Sequence, residues 1–218
     1  MRKLFYFGLL TLLVISCRKD DSNPPAPMQT ANYLPLTVGN YWIYQHYKID
    51  SLGNETALSY TDSIVVARDT MINNNQYFVL EGTNYPYSQN EWGIIDIVRD
   101  SSGFIVDNIG NISFSSDNFE DILASKTEVI NNDTIYTLTF RMEEPDITVS
   151  VPAGEFEVLN FKGTLITFPK IKQISNPRYE NNYYSKNVGK ILGNYHYISQ
   201  PSVYEKRLIR YNINKDQL

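Results

Sequence analysis

Between Asp133 and Val151 apolar and polar residues alternate nearly one by one, and that rhythm restricts the fold more than anything else in the chain. Tyr136, Leu138, Phe140 and Met142 fall on one side of an extended backbone, with Thr137, Thr139 and Arg141 on the other. Ile147, Val149 and Val151 alternate with Thr148 and Ser150 in the same way. Successive side chains of a strand point to opposite faces. A period of two with one polar face therefore describes antiparallel strands that each turn one side to water.

The same texture extends over most of the chain. Tyr41 to Ile49, Ser63 to Ala67, Tyr77 to Leu80, Ile94 to Val98 and Phe104 to Val106 read as strands. They are separated by Ser51-Leu52-Gly53-Asn54, Asn73-Asn74-Asn75 and Asp100-Ser101-Ser102-Gly103. Asn, Asp, Ser and Gly suit such joints because they tolerate positive φ or bond their own backbone. Arg207, Ile209, Tyr211 and Ile213 mark a last strand. One stretch breaks the rhythm. In Asp117 to Ala124, Phe119, Ile122 and Leu123 recur at three and four residues, and Asp117 and Glu120 have capping-box spacing, which predicts a helix of about two turns. The expected class is all-β: one antiparallel curved sheet, sandwich or half-barrel, with one short helix.

The N-terminus carries a different signal. Arg2 and Lys3 precede an apolar run from Leu4 to Ile15, which at about a dozen residues is too short to span a bilayer but fits an export signal. Val14-Ile15-Ser16-Cys17 resembles a bacterial lipobox, and Cys17 is the chain's single cysteine. That resemblance implies acylation of Cys17 after removal of residues 1–16, a lipoprotein signal peptide. Residues 17–32 then form the acylated cysteine and a polar, Pro-rich tether, and residues 33–214 the β domain. Cys17-Arg18-Lys19-Asp20-Asp21 is similar to the signal that sends Bacteroidetes lipoproteins to the outer face of the outer membrane. The partner expected first is thus the membrane, reached through the lipid anchor on Cys17.

Two later stretches point the same way. Val151-Pro152-Ala153-Gly154-Glu155-Phe156 resembles the "VPAGxF" segment of a group of bacterial lipoproteins, and Tyr183 to Ile191 resembles that group's "WYAxGVG" strand. Pro35 to Trp42 fits the group's usual start. The resemblance implies a curved antiparallel β domain and carries no catalytic residue with it. On the residues themselves, Ala153-Gly154 makes a tight return, Phe156 re-enters the core, and Gly189 sits where a bulky ring or backbone approaches closely.

Chemistry is sparse. A net charge of −5 argues against nucleic acid, whose phosphates are bound mainly by Lys and Arg. Besides Cys17, metal and acid–base chemistry has only His46 and His196 to draw on, each within aromatic strand sequence. No nucleophile elbow, phosphate loop or metal-binding motif occurs. No catalytic residue, cofactor or metal is therefore expected. Glu143-Glu144 is the best acidic pair for a carbohydrate-active hydrolase, and it reads as a solvated loop.

Binding by exposed rings is the stronger expectation, with Trp42, Tyr85, Tyr87 and Trp92 as candidates for stacking on a glycan or an envelope protein. An accessory role in an envelope complex is the alternative, and the sequence sets no oligomeric state. Asp-Ser/Thr-apolar triplets place possible O-glycosylation at Ser51, Ser63, Thr70 and Thr134, by similarity to the Bacteroidetes motif.

Overall fold

The computed structural model describes residues 32–85, 91–144, 147–168 and 176–214. A meander opens the fold: β1 (Tyr41–Ile49), β2 (Glu55–Ile72), β3 (Asn75–Gly82), β4 (Gly93–Ser101), β5 (Phe104–Asp107) and β6 (Ile112–Ser115). The hairpin of β7 (Ala124–Ile130) and β8 (Asp133–Glu143) follows, and then a short separate hairpin, β9 (Thr148–Val151) and β10 (Gly154–Glu157). The chain ends with β11 (Leu159–Thr167), β12 (Arg178–Glu180), β13 (Asn182–Ser185), β14 (Gly189–His196) and β15 (Val203–Asn212). Thirteen strands form one antiparallel sheet, in the order β6-β5-β4-β3-β2-β1-β15-β14-β13-β11-β8-β7, with β12 beside β11. The fold is all-β.

The tight turns follow from residue type. Asn73 and Asn74, and again Asn131 and Asn132, take positive φ in two-residue hairpins, as Ser102 and Gly103 do between β4 and β5. Mirror-image turns of this kind match the twist of the strands they join.

The sheet rolls until its ends approach. Phe114 of edge strand β6 lies 4.8 Å, ring to ring, from Tyr184 of β13, and the Ser115 N–H meets Met142 Sδ of β8 at 3.4 Å. Residues 116–123 bridge the gap, since the two edge strands β6 and β7 are consecutive in the chain. The buried apolar residues, among them Trp42, Val66, Val98, Phe114, Met142, Phe161 and Leu208, line the concave side. The β9–β10 hairpin adds Val149, Val151, Ala153 and Phe156 to that core.

The helix over Asp117–Ala124 does not form, and the described residues contain no helix. Side chains take the backbone donors instead: Ser115 Oγ accepts from the N–H groups of Asp117 and Asn118, and Asn118 Oδ1 from those of Glu120 and Asp121. The Leu123 N–H bonds to Phe140 O, and Phe119 and Leu123 still pack on the core. Short polar side chains compete well for helix-terminal donors, and the helix pattern here is too short to win. The stretch Tyr183 to Ile191 is a hairpin, not one strand, because Asn187 turns the chain at φ 61°. Gly189 meets a bulky ring as expected: at φ +104° it lies under Trp42, and a Cβ there would be 3.0 Å from Trp42 Nε1.

Phe140 stacks on Phe161 at 4.8 Å on the inward face, whereas Thr139 points the other way. Phe140→Asp is therefore expected to unfold the domain, by losing core area and burying a charge, and Thr139→Asp to shift stability by less than about 1 kcal/mol. Circular dichroism during urea titration checks both. Greater damage from Thr139→Asp would invert the assigned faces.

Candidate ligand-binding cavity

Residues directly opposite in neighbouring strands share a face, so register alone collects the inward side chains. Tyr44 lies opposite Asp62 on β2 and Leu208 on β15, and His46 lies opposite Lys206. Lys206 faces Gly193 of β14, which in turn faces Asn182 of β13. Ile191 is an extra residue in this ladder, and the bulge brings Lys190, opposite Tyr184, to the same inner surface. Across the sheet Leu80 stands between Val66 and Asp96. Trp42 and Tyr44 reach past β15 to bond the carbonyls of Val188 and Lys190 at 2.6 and 2.9 Å, which fixes the curl at this point.

The outcome is a cluster of charge inside an apolar roll. Asp62 is wholly buried. Its Oδ2 accepts from His46 Nε2 at 2.9 Å and Lys206 Nζ at 2.7 Å, and its Oδ1 from the Tyr85 N–H at 3.0 Å. Burial alone would raise the Asp62 pKa, but these donors outweigh it and hold the carboxyl at about 2. Lys206 also lies over the Tyr44 ring, 5.1 Å from its centroid.

Lys190 is different. Its ammonium is held by the neutral Asn182 Oδ1 at 2.5 Å, and among the described residues it has no carboxylate within 4 Å. Burial, and then repulsion from Lys206, push its pKa down to about 8 against a smaller opposing pull from Glu180. Gly193 makes room for the side chain, because a Cβ there would lie 2.6 Å from Lys190 Cε. Burial likewise raises the Asp96 carboxyl, opposed by the Ile97 N–H and reinforced by Asp107.

Lys190 and Lys206 line a cavity of about 270 Å³, walled chiefly by Trp42, Ile64, Leu80, Val98 and Ile105, with Asp96 and Tyr184 beside them. That volume equals the share of roughly nine liquid waters, enough for a ligand of about ten heavy atoms. Three larger grooves, of about 490, 400 and 340 Å³, lie more open to solvent. Above the Asp62 cluster the His46 ring sits among Tyr60, Tyr85 and Tyr195 at 4.9, 5.8 and 6.4 Å, and Tyr60 and Tyr85 approach to 3.8 Å. Among the described residues His46 Nδ1 has no hydrogen-bond partner.

His196 belongs to a separate network. Its Nδ1 accepts from Arg178, and its Nε2 donates to Tyr179 O at 2.9 Å. Arg178 also clamps the carbonyls of Tyr197, Gln200 and Ser202, tying down the loop before β15. Burial, and then the adjacent guanidinium, lower the His196 pKa, so the imidazole works here as a neutral acceptor.

The structure scatters the residues singled out in the sequence. Trp42 is 2 % exposed, a core residue and no surface ring. Tyr85 is half-buried against Tyr60 and His46, while Trp92 is 59 % exposed. Tyr87 and Cys17 lie outside the described residues. Ser51 is exposed at its turn, and Thr70 and Thr134 are half-buried near strand ends. Ser63 sits mid-strand between β1 and β3, next to the buried Asp62, so the folded chain does not present that triplet at a turn. Lys190, Lys206, Asp62 and Asp96 were not anticipated as a group. Their one sequence signal is a charge on the apolar side of a strand, as with Lys206 beside Leu208.

Comparison with known proteins adds little. No family model and no curated protein matches the chain. Among solved structures, the chain is similar to an inferred lipoprotein from Parabacteroides distasonis ATCC 8503, with 13 % identity and a TM-score of 0.45 over 83 % of this chain and 98 % of that one. It is also similar to an inferred exported protein with a YmcC-like fold from Bacteroides fragilis NCTC 9343, with 13 % identity and a TM-score of 0.47 over 84 % and 99 %. Similarity of that size carries no argument, and the fold stands on the strand pairing itself.

Proposed function

We propose that this chain is a lipid-anchored envelope protein, attached through Cys17 to the outer membrane and facing the exterior, that binds a small ligand inside its rolled sheet without turning it over. The observation that carries the reading is Lys190. A half-buried ammonium whose one described hydrogen-bond partner is a neutral amide is costly, and a cavity adjoining such a group is better accounted for as a binding site than as core packing. The chemistry of His46 supports binding over turnover. Its Nε2 is committed to Asp62, and Nδ1, the atom a general base would use, has no hydroxyl or thiol within hydrogen-bond distance among the described residues. The anchor reading rests on the lipobox-like Val14 to Cys17.

Native mass spectrometry of the full-length mature chain against a library of small molecules and glycans tests the reading. Hits are expected to vanish with Lys190→Met and to survive Trp92→Ala. The reverse pattern would move the site to the exposed segment at Trp92. A blank screen would favour an accessory role in an envelope complex.

A further inference from the structure

We infer that the cavity takes a small monocarboxylate with an apolar body, its carboxylate on Lys190 and Lys206 and its body against Trp42, Ile64, Leu80 and Val98. This rests on the reading of the cavity as a ligand site and names the chemistry of its ligand.

The charge count decides the head group. Lys206 already has Asp62 at 2.7 Å, so its charge is met within the protein. Among the described residues Lys190 has no carboxylate within 4 Å, Glu180 acting on it only from farther away, which leaves its ammonium unpaired at the cavity wall. Asp96 lines the same cavity, but its carboxyl accepts from the Ile97 N–H at 2.8 Å and makes no ion pair with Lys190 within 4 Å, so it does not hold that ammonium. One unmatched ammonium calls for one negative charge, and a dianionic phosphate would bring more charge than the site leaves free. A neutral sugar would leave Lys190 uncompensated, and a cation would meet two lysines. The remaining walls are mostly aliphatic and aromatic, which selects an apolar body over a polyol. The volume sets the size at about ten heavy atoms.

Isothermal calorimetry on the full-length mature chain decides the matter, with octanoate, 1-octanol, 3-phenylpropionate and acetate as probes. Lys190→Met serves as the blank for partition into the lipid or detergent around the anchor. Octanoate is expected to bind at least tenfold more tightly than 1-octanol, which has the same chain and no charge, and at least tenfold more tightly than acetate, which has the charge and no chain. Lys190→Met should weaken octanoate at least tenfold, and Lys190→Arg should retain part of the affinity. Binding should weaken as pH rises through about 8, where Lys190 loses its proton. Stronger binding of 3-phenylpropionate than octanoate would support the same site with an aryl ligand. Equal binding of 1-octanol would overturn the carboxylate while leaving a ligand cavity in place, and equal binding of acetate would overturn the apolar body. No heat from any probe, or octanoate binding that Lys190→Met leaves intact, would overturn the inference.

Discussion

Asp62→Ala is expected to lower the stability of the domain by about 3–5 kcal/mol, enough to unfold much of it at 37 °C. Among the described residues, neither of the two groups the carboxylate holds has a second charged partner. His46 is wholly buried, and Lys206 is nearly so. Removing Asp62 leaves an ammonium and an imidazole facing each other across a cavity that already contains Lys190. Adding Lys206→Met to Asp62→Ala should recover part of the loss, because the two single changes are strongly coupled. Urea midpoints at pH 7 measure this. A loss below about 1 kcal/mol would mean the cluster is solvated and not the electrostatic centre described above. The wild type adds a pH signature. Asp62 has a folded pKa of about 2, below its ordinary 3.8, so its contribution is full above roughly pH 4 and disappears as the pH falls toward 2.

Lys190→Met should act in the opposite direction and stabilise the protein by ~1–3 kcal/mol at pH 7. Methionine fills a similar volume and removes an ammonium that the fold holds at a loss. The pH dependence follows from the lowered pKa. Between about 8 and the ordinary 10.5 the unfolded chain binds more protons at Lys190 than the folded one does. Wild-type stability should therefore rise across that interval, and the advantage of the variant should shrink to nothing by its upper end. A variant less stable than wild type at pH 7 would show that Lys190 is a structural cation. More stability together with lost binding is the expected mark of a residue kept for function.

Much of the sheet could be read in the sequence because it depends on local rules. The Asn pairs at 73–74 and 131–132 dictate their turns, and the alternation from Tyr136 to Met142 gives β8 its inner face without knowledge of any neighbour. The helix expected at Asp117 failed for a local reason as well, since Ser115 and Asn118 captured its donors. The cavity was hidden because its residues come from separate strands and are aligned by bulges. Ile191 shifts β14 by one residue and brings Lys190 inside. A similar irregularity opposite Ile43/Tyr44 puts both Leu208 and Tyr211 on the face that Trp42 and Tyr44 occupy, where alternation alone would separate them. Strict period-two reading grouped Tyr211 with Arg207 and Ile209 and so missed the inward role of Lys206. Asp62 looked like part of a surface triplet because burial of a carboxylate depends on Lys206, which lies far along the chain and only two strands away.

The central claim is that Lys190 is an unmatched ammonium awaiting an anion, and lysine NMR observes that ammonium directly. In the full-length chain with ¹³Cε-labelled lysine, the Lys190 signal, assigned by its loss in Lys190→Met, can be followed against pH with and without octanoate. The structure predicts a midpoint near 8 in the free protein that moves upward by at least one unit when octanoate binds, because the carboxylate favours the charged form. A Lys190 midpoint near the ordinary 10.5 in the free protein, unmoved by any carboxylate, would contradict the account.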